Sequence, residues 1–247
     1  MHSLPHPLLP AEVSDRLGLR ARGIQTYLGE LIRARPGYPP IQPIPLVVAI
    51  ERDWSEYTRL PYGWPRHLTR PSRLLIPGIY PERWLWRLRQ GFLEGRTPLP
   101  VQHNLTAWLD LSVGQALGRL VLEQWGLLTR QPWADELLAS LWWLSALEEE
   151  SHQTARQWLE RLILLPTPRS SRPAWFPLWV QGQTGVLARS LLENDPALLG
   201  DLLAAQPLNR GEIQTWLLQR HPRLADWRSL LDTAQKPVDL GLLDDTL

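Results

Sequence analysis

The chain contains no cysteine in its 247 residues. That absence removes disulfides, thiolate metal sites and cysteine nucleophiles together. No apolar run approaches the roughly eighteen residues that a membrane-spanning helix needs. The opening MHSLPHPLLP lacks the charged start and apolar core of a signal peptide, so a cytoplasmic location without membrane contact is expected. Lysine is nearly missing, since Lys236 is the single one among 26 basic residues. A GC-rich coding sequence accounts for such an arginine bias; arginine-based recognition of anions is the alternative. Phenylalanine and methionine are scarce as well, 2 and 1 against 14 tryptophans. Rings of that size are rarely buried completely, so some are expected at grooves or contact surfaces and most in the core.

What is present describes an ordinary folded chain. Its 44% hydrophobic and 21% charged residues argue against disorder. A net charge of +1 gives no global pull toward nucleic acid or an anionic membrane. The length suits one large domain or two small ones.

Apolar spacing predicts a first helix over about 10–35, with Val13, Leu17, Leu19, Ile24, Leu28 and Leu31 on one face, ended by Pro36-Gly37. The proline-rich YPPIQPIP that follows can only be extended. LVVAI at 46–50 and LLIPGIY at 74–80 read as strands, separated by a loop rich in Trp, Pro and Arg. Pro81 and Glu82 open a helix that stops near Gly95. From about 102 the chain is helical. One helix carries Leu105, Leu109, Val113, Ala116, Leu117 and Leu120 on a stripe bounded by Gly126. Another begins at Pro132, with Asp135 and Glu136 in its first turn, and breaks near Ser151 before a further helix over 152–165. After the linker-like PTPRSSRPAWFP, helices are expected over 178–193, 196–206 and 210–233, the last capped by Asn209. A helix, a few strands and then many helices predict a helix-dominated α+β fold, a small N-terminal sheet followed by a helical bundle. The expected organisation is an N-terminal helical segment to 40, a core from 41 to 165, and a C-terminal helical region over 166–247 packed on or beside it.

Two stretches carry a more specific signal. Leu111-Ser112-Val113-Gly114-Gln115-Ala116-Leu117-Gly118 lies on the long helix, and QPWADELLASL, with Glu136, opens the next. Twenty residues separate Gln115 from Glu136. Together with LVVAI, Gly63-Trp64 and LLIPGIY upstream, they resemble the gluzincin (peptidase MA) metallopeptidases over about residues 40–150. In that family an HExxH helix supplies two histidines four apart, which grip one zinc ion, and a glutamate base that takes a proton from zinc-bound water. A following helix supplies a glutamate ligand. The resemblance implies a zincin-like core with Glu136 at that third ligand position. This chain departs from the pattern where the chemistry lies. Leu111 and Gln115 stand at the histidine positions and Ser112 at the base position, and none supplies what is needed. A register shifted to His103-Asn104 meets Ala107 four residues on. The resemblance therefore implies a pseudopeptidase without catalytic residues, metal or cofactor. Its groove, lined by Leu111, Ser112, Gln115 and Glu136, would hold a peptide or protein partner. The same glycines and alanine would equally serve close helix packing.

Two other readings compete. PAEVSDRLGLRARGIQTYLGEL resembles a helix-turn-helix, with Ser14 and Gly18 at the crossing and Ile24 and Leu28 as anchors. Arg20, Arg22, Gln25 and Thr26 would then face DNA; an ordinary amphipathic helix is the alternative. The arginines and aromatics interleaved over 52–73 suit either a single-stranded nucleic acid surface or a loop pinned by buried rings. A plain helical scaffold needs no site, and its expected mark is an exposed apolar patch around Trp142, Trp143 or Trp158.

Overall fold

The computed structural model describes residues 11–33, 38–58, 62–94, 105–129, 131–147, 149–165, 176–205, 208–226 and 228–229. The first helix, α1, runs unbroken over Ala11–Leu31. Its inward positions Ile24, Leu28 and Leu31 recur at the spacing of one helical face. Leu19 does not belong to that face and is 67% exposed, while Arg20 turns inward. Because α1 passes straight through Gly18, no second helix crosses the first there, and the helix-turn-helix reading is corrected to a single amphipathic helix.

Three strands form one small sheet: β1 (Leu46–Ala49), β2 (Arg66–Thr69) and β3 (Ser72–Pro77), in the order β1-β3-β2. β1 runs parallel to β3, and β2 runs antiparallel to it across the Arg70-Pro71 turn. A short helix α2 (Glu51–Trp54) follows β1. Both β2 and α2 fall in the stretch read as loop, because RHLT holds one apolar residue and four residues cannot display a period. β3 is covered on both faces, with Leu74, Leu75 and Ile76 fully buried. On one face, Leu75 packs with Ala49 and Trp54, closed in by Tyr57, Tyr62 and Leu68. Trp54 meets Tyr62 edge-on at 5.0 Å, and Arg73 lies over Tyr57. The aromatics of 52–73 thus pin this segment to the sheet from inside.

The helices that follow are α3 (Glu82–Glu94), α4 (Leu105–Gln124), α5 (Pro132–Ala146), α6 (Glu149–Leu162), α7 (Phe176–Asn194), α8 (Leu198–Ala204) and α9 (Arg210–Arg220). The expected stripe of α4 is buried throughout, and Val121 and Leu122 bury its other side, so α4 is central. It ends in a Schellman motif: Gly126 takes φ 72°, Leu127 N–H donates to Leu122 O and Gly126 N–H to Glu123 O. α5 is buried nearly all round, including Trp142 and Trp143, and Trp158 of α6 is buried too. The expected exposed patch at these three rings is therefore absent. The break after α5 falls at Leu147, whose backbone is extended, four residues before Ser151. Asn209 caps α9 as expected, in a capping box with Glu212. The helix expected to reach 233 stops at Arg220, because Pro222 interrupts the backbone ladder. One buried cluster runs from Ile24 through the sheet and helices to Leu224, joining all three expected segments.

Glycines set the spacing of α4 and α5. A Cβ at Gly118 would lie 2.5 Å from the carbonyl oxygen of Ala139, and one at Gly114 would lie 2.3 Å from the Trp143 ring. Gly118→Ala is expected to destabilise the chain, since overpacking against backbone costs roughly 1–3 kcal/mol. That outweighs the ~1 kcal/mol that alanine gains over glycine in an open helix. A urea-melt midpoint equal to or above that of the parent would contradict this packing.

Candidate functional site

Leu111, Gln115 and Arg119 follow one another at intervals of four on α4 and so share one helical face. Gln115 is 6% exposed and stands where α4, α5 and α7 meet. Its Nε2 donates to Glu136 Oε2 at 3.0 Å and to Ser140 Oγ at 3.0 Å, and lies 3.4 Å from Thr184 Oγ1. Ser140 Oγ donates to Thr184 Oγ1 at 3.2 Å, and Thr184 donates back to the Val180 carbonyl within α7. Glu136 pairs on its other side with Arg119 at 3.2 Å. A glutamine amide thus ties three helices together.

The four predicted groove residues divide. Gln115 and Glu136 come into direct contact, while Leu111 stays half-buried one turn before Gln115. Ser112 is buried, and its hydroxyl donates to the Leu109 carbonyl of its own helix. Ser112 and Gln115 therefore do not line an open floor. The partly exposed members are Leu111 and Glu136, joined by Arg119, which pairs with Glu136. His103 lies outside the described residues. Among the described residues, no three His, Cys, Asp or Glu side chains converge as a metal site requires.

Arg119, Ser140, Thr184 and Gln181 were not expected at a site, and Arg66 stood only among the arginines of 52–73. Arg119 was legible, since it continues the 111–115 spacing by one more step. Arg66 belongs to the edge strand read as loop. Burial and the neighbouring Arg119 hold its guanidinium down to about 10, with Glu136 pulling the other way. Ser140 and Thr184 are brought together by the packing of α7 on α5, which no local pattern announces. A weak signal lay in the polar QGQT run inside an otherwise apolar helix. Gln181, one turn before Thr184, is 1% exposed, and neither of its amide atoms has a partner.

The four residues proposed to face DNA sit on α1. Arg22, Gln25 and Thr26 are exposed, and Thr26 Oγ1 donates to the Arg22 carbonyl. Arg20 is committed inward. Its Nη1 and Nη2 donate to Asp110 of α4 at 2.8 and 2.7 Å, its Nε to Pro77 O at 2.8 Å, and it stacks over Tyr80. Tyr80 donates to Asp110 as well, at 3.1 Å. Burial pushes the Asp110 carboxyl up, against the pull of Arg20 and Tyr80. Beside this group, Trp143 Nε1 donates to Tyr27 at 2.9 Å, a second tie between α1 and the core. Arg20 is therefore corrected from a DNA contact to the residue that docks α1.

A third polar group joins the sheet to α4. His67 of β2 meets Glu123 at 2.9 Å, and Ser72 donates to the same carboxylate at 2.5 Å. Burial holds the His67 imidazolium below the ordinary histidine range, with Glu123 opposing. The unfolded chain therefore takes up that proton more readily than the folded one. The His67 contribution is intact above the unfolded value of about 6.5 and is lost as pH falls below it. Urea midpoints are expected to drop between about pH 7 and pH 5, and His67→Gln to flatten that drop. An unchanged slope in the variant would remove His67 as its source. No protein family, curated protein or solved structure matches the chain.

Proposed function

We propose that the chain is a non-catalytic binding or regulatory protein on a zincin-like core, a pseudopeptidase whose metal position has become a joint between helices. The carrying observation is the 3.0 Å hydrogen bond from Gln115 to Glu136. The resemblance puts a histidine ligand at 115 and the glutamate ligand at 136, and ligands of one ion must converge on a point. Leu111 lies one turn away on the same face of α4. An amide at 115 satisfies Glu136 without metal, and the hydroxyls of Ser140 and Thr184 complete the bonding. The vestigial groove expected beside this joint would present the partly exposed Leu111, Arg119 and Glu136, and a peptide or protein partner is the expected occupant.

A plain scaffold is the second reading, favoured by Gly114 and Gly118, whose contacts with Trp143 and Ala139 account for the glycine stripe by packing alone. Metal content separates the two. The parent protein is expected to purify without stoichiometric zinc, and the variant Leu111→His/Gln115→His to acquire it. A well-folded variant that binds no zinc would leave the scaffold reading in place.

A further inference from the structure

We draw no further inference here: the strongest candidate, the cavity between the proline-rich connector at Pro39, Pro40 and Gln42 and the end of α4 at Gln124 and Trp125, carries nothing, because the Gln124 side chain is taken up by the backbone of Gln42 and no charged side chain among the described residues lines it to select a ligand.

Discussion

The variant Leu111→His/Gln115→His is expected to bind close to one zinc ion per chain, measured by mass spectrometry after dialysis. Histidines four apart on α4 would project from one helical face. The carboxylate of Glu136 is already within hydrogen-bond reach of residue 115, so a third ligand needs little movement. Ser112 is left unchanged on purpose, because it is buried and a glutamate there would force a carboxylate into the core. Binding should raise the melting temperature, since zinc at about 100 times its dissociation constant adds about 2.7 kcal/mol. A chelator should reverse the gain, and Glu136→Ala added to the pair should abolish most of it. Arg119, 3.2 Å from Glu136, repels a dication, so Arg119→Gln is expected to tighten zinc binding further. Absence of zinc from a folded variant would mean that the three positions do not form a ligand triangle.

Arg20→Ala is expected to be the most damaging single change on α1, costing about 2–3 kcal/mol. It deletes two charge-assisted bonds to Asp110 and one to the Pro77 carbonyl, and strands a carboxylate that burial already disfavours. Arg22→Ala, two residues on and exposed, is expected to cost under about 0.5 kcal/mol. A nucleic acid contact would predict the reverse pattern, with little effect of either change on stability and both weakening binding. Urea melts of the two variants decide between these outcomes.

Local patterns located most elements. Pro132, Gly126 and Asn209 each marked a helix end by a mechanism confined to a few residues: a missing N–H, a positive φ and a side-chain cap. The stripe of α4 was legible because a buried helix keeps a 3.6-residue period over five turns. β2 was not legible, because its four residues acquire strand geometry only from pairing with β3. On α1, Leu19 and Arg20 exchanged their expected sides. Hydrophobicity ranks leucine inside, but the partner that decides Arg20 is Asp110, which lies 90 residues away in the chain.

The candidate site divides along the same line. The sequence alone determined that residues 111, 112 and 115 lack the imidazoles and carboxylate of a zinc peptidase, since side-chain chemistry does not depend on the fold. It also determined that 111 and 115 share a helical face, since helix geometry is local. Only the tertiary structure decided that Gln115 meets Glu136, Ser140 and Thr184, that Ser112 is sealed inside, and that Arg119 pairs with Glu136. Those relations depend on how closely helices approach, which Gly114 and Gly118 permit but whose partners they do not name. They depend also on where a buried polar group finds its hydrogen bond, which is settled by elements distant in the chain.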